Sequence, residues 1–514
     1  MKINTDLKIP VFLFLVTLLI FIRTVNYDFV WDDERIHLTA NKELMEGNVS
    51  PFWKSAYSGL YIPVTYTTWS LVKTLFYPNS EVSPGAFHLL NIMFHAFNGI
   101  LVFLLLQLLF RNRFAALIGS LVFILHPMQV EAVAWISEFR GIYSMFFSLS
   151  ALYLLFSFIA RHTHLPVSSL LKAPVFWLST LLFLLGVLAK PSVMILPLLA
   201  ALIAYGFFKK NLSVILKTIP IWLLLTVPII VITNYLQPVT EYNKDLHFPD
   251  KLLIAAYSFA FYLKKLIIPY PLAASYGETP HEILHDKLLW LYVFISAAVL
   301  IFALFKLRSN PVLFAITGMI FVSLLPVLGF ISFKFQYQSN VADRYAYSAF
   351  LGVAMLFGYI SLNYQRLKWL RFALPGVISV YLILTVFQTG VWKNEFEIWD
   401  HTLRHFHNSA HVYYYRGVEY SKREKFREAI NDYNHCLSLQ PDHKNALFNR
   451  INAYEQLNYL DEALKDCDAY LKIDPDDGAV YFRKARLLQK EGKESEAQQY
   501  YQLARQKHFD PKTL

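Results

Sequence analysis

The chain has 514 residues, room for two or more domains, and is 56% apolar and 17% aromatic but only 16% charged. Soluble domains usually carry about 25% charge; the deficit lies before Trp392, so a single soluble globule is excluded and a membrane part precedes a soluble tail. The formal charge of +10 does not point to nucleic acid, because most Lys and Arg lie in short clusters between apolar runs, and two cysteines, Cys436 and Cys467, provide neither a disulfide framework nor a metal cluster.

The N-terminus, with Lys2 and Lys8 ahead of an apolar run from Ile9 to Val25, has the outline of a signal peptide. No small-residue cleavage signature follows and more hydrophobic segments come later, so a retained first span is expected. Runs suited to about 30 Å of hydrocarbon occur at 9–25, 86–110, 114–134, 140–160, 174–189, 192–208, 214–234, 287–305, 311–330, 343–363 and 372–391, which makes eleven. A further stretch, 251–275, carries Lys264 and Lys265 near its middle and then Pro269 and Pro271. Two lysines at bilayer depth are costly unless they snorkel, so a re-entrant or interfacial helix is expected there.

Charge bias sets the orientation. With the N-terminus cytoplasmic and eleven crossings, the clusters Arg111/Arg113, Arg161/Lys172, Lys209/Lys210, Lys306/Arg308 and Arg366/Lys368/Arg371 all fall inside, as the positive-inside rule requires. A twelfth crossing at 251–275 would put the last two clusters outside. The expected location is therefore a multi-pass plasma (inner) membrane, with the tail extracytoplasmic.

Directly after the first run comes Tyr27-Asp28-Phe29-Val30-Trp31-Asp32-Asp33-Glu34-Arg35-Ile36-His37, four carboxylates within seven residues. One reading is a solvated loop end; the other makes Asp32 or Asp33 a general base at the membrane surface. The outer loop 26–85 that follows is too long for a plain connector, and Tyr61–Tyr77 suits a helix lying at the interface or packed on the bundle.

The same orientation gathers other polar residues in or beside outer loops: His126, Glu131, Glu138, Arg140, Lys190, Gln336, Asp343 and Arg344. Ionisable groups at span ends are rare unless paired or set in a polar cavity. Arg140 reads either as a phosphate ligand or as the ion-pair partner of Glu138 or Glu131. Lys190, before Pro191 in a tight inter-span joint, reads as a donor-phosphate ligand. Arg344, among Tyr337, Tyr345 and Tyr347, contacts phosphate or a pyranose, or else clamps Asp343. His126 before Pro127 orients a polar network or caps a span, and His88 and His95 read as packing or lipid-facing residues, since two histidines without a third ligand do not make a metal site.

Beyond Asn408 a 34-residue period appears: Glu428-Ala429, Glu462-Ala463 and Glu496-Ala497, with Pro441 and Pro475 in step and Pro511 two residues late. That period, with small residues at helix crossings and Pro ending the second helix, reads as tetratricopeptide repeats. The expected organisation is a membrane domain over 1–392, a connecting or capping helix over 393–410 and three repeats over 411–514, about 411–444, 445–478 and 479–512. Cys436 and Cys467 fall in second helices and read as packing.

An outer-end carboxylate facing cations from other helices suits sugar transfer from a lipid-phosphate carrier. Arg or Lys would hold the phosphate and a carboxylate would deprotonate an acceptor hydroxyl as it attacks the anomeric carbon. Single displacement inverts that centre; a double displacement would need a nucleophile against the sugar face. The repeat groove would take a protein or peptide, either an acceptor or an envelope partner.

The motifs Phe29-Val30-Trp31-Asp32-Asp33, His126-Pro127 with Glu131-Ala132-Val133-Ala134, and Val341-Ala342-Asp343-Arg344-Tyr345, followed by the repeats, resemble the transmembrane-and-tetratricopeptide-repeat O-mannosyltransferases. The resemblance runs through nearly the whole chain in the same order. It implies an all-α polytopic bundle of the GT-C type ahead of an α-solenoid, a polyprenyl-phosphate sugar donor, an inverting mechanism on the non-cytoplasmic face, and no obligatory metal or cofactor. Asp32 and Asp33 match the family's acidic pair, and Glu34 leaves a register on Asp33-Glu34 open. The resemblance further implies a catalytic role for Asp32 and Asp33, donor binding by Arg140, Lys190, Arg344, His126 and Tyr345, and support from Glu34, Glu131, Glu138 and Asp343. A transferase acting on a cell-surface polysaccharide or lipid, and a non-catalytic repeat scaffold, are the alternatives; no paired midplane symmetry of a transporter is present.

Overall fold

The structure, a computed structural model, describes residues 7–79, 81–162, 164–236, 246–331, 333–364 and 367–507. Arg366, Pro511 and the end of the third expected repeat lie outside the described residues. Apart from one isolated bridge between Tyr57 and Leu60, the described chain is helical and divides into two compact units. One runs to Ala274 and from Glu278 to Asn394; the other holds Ser275–Gly277 and the chain from Glu395 onward.

The helices that position the first unit are α1 (Lys8–Phe21), α2 (Pro63–Phe76), α3 (Gly85–Phe110), α4 (Arg113–Leu125), α5 (Gln129–Ala134), α6 (Phe139–Ile159), α7 (Pro174–Ala189), α8 (Leu196–Phe207), α9 (Leu212–Leu236), α10 (Phe248–Ile267), α11 (Leu289–Phe305), α12 (Pro311–Leu324), α13 (Phe350–Asn363) and α14 (Leu370–Val391). Seven helical stretches are long and apolar enough to cross a membrane: 8–26, 85–110, 136–159, 209–233, 289–309, 343–363 and 372–391. Four shorter apolar helices, 113–125, 174–189, 191–207 and 311–327, occupy the remaining expected runs.

Two runs differ from expectation. The stretch 114–134 is not one helix: α4 ends at Leu125, His126 takes an extended ψ of 130°, and a separate short α5 follows Pro127. A residue before proline is pushed out of the α region, which breaks the run there and leaves α4, at 13 residues, about 20 Å long. The run 343–363 begins as a 3-10 segment, Asp343–Ala349, before α13. The charged stretch 251–275 becomes a 20-residue helix, α10, only as far as Ile267; Lys265 is buried and Lys264 lies beside the Tyr292 hydroxyl.

Glycines allow the crossings that matter. A Cβ on Gly119 of α4 would run into the Ala354 carbonyl oxygen of α13, and one on Gly358 of α13 would lie 3.0 Å from the Ala115 carbonyl oxygen. Close backbone approach through small residues is how apolar helices associate in lipid. On α7, a Cβ at Gly186 would come within 3.2 Å of the Ser144 carbonyl oxygen of α6. These antiparallel crossings bring the end of α4 to the start of α13, and the end of α7 to the start of α6.

The long loop after α1 folds into a cap. Its short helices Lys42–Met45 and Ser50–Lys54 and the helix α2 bury Leu38, Leu44, Phe52, Tyr66 and Trp69 with Phe87 and Phe139. Pro63 opens α2, where its fixed φ and missing N–H cost nothing. The opposite side of α2 exposes Leu71, Leu75 and Phe76.

In the second unit a lead helix, α15 (Glu395–His405), stacks Trp399 on Tyr415 with ring centroids 5.0 Å apart. Three helix pairs follow: α16 (Ala410–Lys422) with α17 (Phe426–Leu439), α18 (Lys444–Gln456) with α19 (Leu460–Ile473), and α20 (Gly478–Lys490) with α21 (Glu494–Gln506). Cys436 and Cys467 are fully buried in the first two pairs. The same ion pair recurs across them, Arg416–Asp432 and Arg450–Asp466.

The tightness of the α4–α13 crossing is testable. Gly119→Ala should lower stability by about 1–3 kcal/mol, the usual cost of overpacking, read as a lower melting midpoint in detergent. Gly376→Ala, inside α14 and with a Cβ that would meet nothing within 4 Å, should not lower the midpoint and should raise it slightly through the helix preference of Ala over Gly.

Candidate functional site

After α1 the chain passes a 3-10 turn, Ile22–Asn26, and then reverses at Trp31, which takes a φ of 61°. A bulky residue in the left-handed region costs of order 1–3 kcal/mol and persists only where its surroundings hold it. Trp31 is held by stacking on Trp135, with centroids 4.9 Å apart, and by Phe335 edge-on at 5.6 Å.

That turn gives the two adjacent aspartates different environments. Asp33 is fully buried, and its carboxylate accepts from Val30 N at 3.1 Å, from Ser137 N at 2.9 Å and from the Ser137 hydroxyl. It thereby closes its own turn and fastens it to the segment ahead of α6. Burial, and then the neighbouring Asp32 charge, push the Asp33 carboxyl up to about 8 against these donors.

Asp32 is different. A π-helical turn, Asp33–His37, sets His37 Nε2 3.2 Å from Asp32 Oδ2. The five-residue offset between Asp32 and His37 matches the i to i+5 register of a π turn, a form enriched at functional sites. His37 Nδ1 in turn lies 2.9 Å from the Tyr66 hydroxyl of α2. The other oxygen, Asp32 Oδ1, is buried and has no hydrogen-bond partner among the described residues. Burial raises the Asp32 carboxyl, but His37 and then Arg140 outweigh it and hold the group below the ordinary carboxylate range. Glu34 is exposed.

Beside this turn lies a cluster of charge from several helix ends. Glu138, 2% exposed at its side chain, accepts from Arg140 Nη2 at 3.1 Å and Nε at 3.2 Å, and from Lys190 Nζ at 2.7 Å. Arg344 Nε lies 3.8 Å from the same carboxylate. Gly141 makes room for this meeting: a Cβ there would stand 2.9 Å from Glu138 Oε2 and 3.2 Å from Lys190 Nζ. The carbonyl of Ala189, at the end of α7, accepts from the Thr65 hydroxyl of α2 at 3.1 Å, which ties the cap to the residue before Lys190.

Arg344 is closed in. Its guanidinium pairs with Glu131, its backbone N donates to Glu131 Oε2 at 2.8 Å, and four rings surround it: Phe335 at 4.2 Å, Tyr345 at 4.7 Å, Trp135 at 5.1 Å and Trp31 at 5.7 Å. The partner of Arg344 is thus Glu131 and not Asp343, which acts electrostatically on Lys265 of α10 instead. Arg140 and Lys190 remain 16% and 20% exposed at their side chains.

The structure therefore brings together Asp32, Asp33, Glu131, Glu138, Arg140, Lys190, Arg344 and Tyr345. His126 is elsewhere: its Nε2 lies 3.2 Å from the Leu266 carbonyl, its Nδ1 accepts from Met128 N at 3.3 Å, and its ring packs on Phe350 and Tyr381. Gln336 serves its own loop, donating to Asn340 Oδ1 at 2.7 Å. Sequence reasoning missed Ser137, Tyr66 and the pairing of Trp31 with Trp135; only His37 carried a signal, its spacing from Asp32.

The family model of the tetratricopeptide repeat matches residues 410–443, 445–477 and 478–504. The chain is similar to Protein O-mannosyl-transferase TMTC3 of Homo sapiens, 24% identical over 449 residues, covering 78% of this chain and 47% of that protein. It is 23% identical to the Mus musculus protein of the same name over 449 residues, with the same coverage of both chains. The chain spans about half the length of these curated relatives. The crystal structure of the apo Archaeoglobus fulgidus oligosaccharyltransferase aligns with a TM-score of 0.41 and 14% identity, over 76% of this chain and 56% of that one.

The Asp33 environment makes a pH prediction. A folded-state pKa near 8, against 3.8 for the ordinary carboxyl, means the folded protein keeps a proton that the unfolded chain releases. Asp33 then contributes stability that declines as pH rises between those two values, by up to about 1.4 kcal/mol per unit. Melting midpoints of wild type should fall more steeply from pH 5 to 8 than those of Asp33→Asn. Parallel profiles would contradict the assignment.

Proposed function

We propose that this chain, a membrane relative of the TMTC3 protein O-mannosyl-transferases with a repeat tail, is an inverting glycosyltransferase of the GT-C type. It moves a sugar from a polyprenyl-phosphate donor to an acceptor hydroxyl, on a protein, at the non-cytoplasmic face of the plasma (inner) membrane. The observation that carries this reading is the buried Asp32 Oδ1, without a hydrogen-bond partner among the described residues, with Arg140 acting on its carboxylate and sharing the single carboxylate of Glu138 with Lys190.

In this reading Asp32 is the base. Its Oδ1 takes the acceptor's proton as the acceptor oxygen bonds to the anomeric carbon, and the bond from that carbon to the phosphate oxygen breaks with its electron pair going to the phosphate. Arg140 and Lys190, each with donors beyond those given to Glu138, receive the growing phosphate charge. No acid is needed at the leaving group, and one displacement inverts the centre. Asp33 holds the turn, and Arg344 with Glu131 and its aromatic box fixes the far wall. His126 has no part in the transfer.

The orientation rests on the basic clusters, which fall on one side when eleven helices cross. The repeat unit would then lie on the catalytic side, where its groove binds the acceptor protein as an extended segment or helix. The donor supplies the activated sugar, and no metal or cofactor is required.

Transfer by purified protein from defined polyprenyl-phosphate sugars separates the two aspartates. Asp32→Asn should lower kcat by about 10²–10⁴, the usual contribution of a general base, with its melting midpoint unchanged. Asp33→Asn should lower the midpoint and the activity together, because an amide nitrogen would face Val30 N–H. Full activity in Asp32→Asn would refute the base assignment.

A further inference from the structure

We infer that His37 is a positioning residue for Asp32, and that Tyr66 fixes the imidazole tautomer through which it acts. The inference rests on the reading of Asp32 as the base and adds to it the device that keeps one oxygen bound and the other open.

The geometry is a chain of three groups, buried Tyr66 and His37 and the partly buried Asp32. Tyr66 is 1% exposed, stacked on Phe52 at 4.7 Å, and its hydroxyl lies 2.9 Å from His37 Nδ1. His37, 3% exposed, reaches Asp32 Oδ2 at 3.2 Å through Nε2. A neutral imidazole donates from one nitrogen and accepts at the other. In the neutral ring a Tyr66 hydroxyl donating to Nδ1 leaves Nε2 as the donor to the carboxylate, and in the imidazolium Nε2 donates as well. Oδ2 is thereby satisfied and the carboxylate cannot rotate freely, while Oδ1 stays without a partner and is the oxygen left to accept a proton. Orientation of a catalytic group through a second hydrogen-bonded group is a general device, and losing the correct tautomer has large effects on rate.

The other groups acting on Asp32 are Arg140 at the start of α6 and Asp33 next to it, with the Ser137 hydroxyl close by. Around Tyr66, Tyr57 and Arg140 act from neighbouring elements. The Ser137 hydroxyl, bonded to Asp33 Oδ1, also acts on the Asp32 carboxylate, so removing His37 takes away the donor held on Oδ2 and not every donor near the group.

The test compares transfer kinetics over a pH range for wild type, His37→Leu, His37→Gln and Tyr66→Phe, each first checked for an unchanged melting midpoint. Tyr66→Phe keeps the ring packing and guards against a folding failure of the leucine variant. His37→Leu should lower kcat by at least tenfold, move the acidic limb of the rate profile to higher pH, and leave the donor KM within twofold. His37→Gln, whose amide can donate to Oδ2, should restore most of the rate and return the limb toward wild type. Tyr66→Phe should shift the limb in the same direction as His37→Leu but less. A merely structural role would change melting or KM and leave the acidic limb in place. Unchanged limbs in both His37→Leu and Tyr66→Phe would overturn the inference while Asp32→Asn stays inactive; an active Asp32→Asn would instead overturn the reading of the base.

Discussion

A carboxylate taken out of water must be met by cations, and Glu138 is met from three separate parts of the chain. Arg140 comes from its own helix, Lys190 from the joint after α7, and Arg344 from the segment before α13. Removing one partner of such a buried group typically costs about 3–5 kcal/mol, so the helix ends that carry these residues are bound to one another. The glycine crossings are what make the meeting possible: Gly119 and Gly358 let α4 and α13 approach, and Gly186 and Gly141 do the same for α7 and α6. An apolar bundle thereby delivers a compact knot of charge to one of its faces.

The cap formed by the first long loop completes that face. It is fastened at two points, Asp33 to Ser137 and Thr65 to the Ala189 carbonyl. Both are hydrogen bonds to backbone groups at helix ends, where unpaired donors and acceptors are to be expected. The result divides labour between neighbouring residues: Asp33 is used up in holding the turn, and Asp32 keeps one oxygen free. The strained Trp31 between them and the first span is the local cost of this arrangement, offset by ring stacking on Trp135.

Much of this was legible from residue order. Apolar runs located the membrane helices, the 34-residue period located the helix pairs of the tail, and the polar residues at span ends pointed to a cluster. What pattern could not supply was partner choice. Arg344 read as a phosphate or pyranose ligand or as a clamp on its neighbour Asp343, yet the α4–α13 crossing gives it Glu131. His126, although at a span end, is closed off by Leu266 and Phe350, because α10 and α13 pack over it. The run 114–134 read as one span because hydropathy does not register the break that Pro127 imposes on His126. The split between Asp32 and Asp33 depends on Ser137, a residue with no distinguishing pattern around it.

The central claim is that Arg140 and Lys190, gathered on Glu138, form a phosphate site at the membrane surface. Equilibrium binding of a polyprenyl phosphate and of the uncharged polyprenol to nanodisc-embedded protein tests it most directly, comparing wild type with the Arg140→Gln, Lys190→Gln double variant. The account predicts that the variant loses at least tenfold in affinity for the phosphate, about 1.4 kcal/mol or more, and binds the alcohol as wild type does. Equal affinity of both proteins for the phosphate would contradict it.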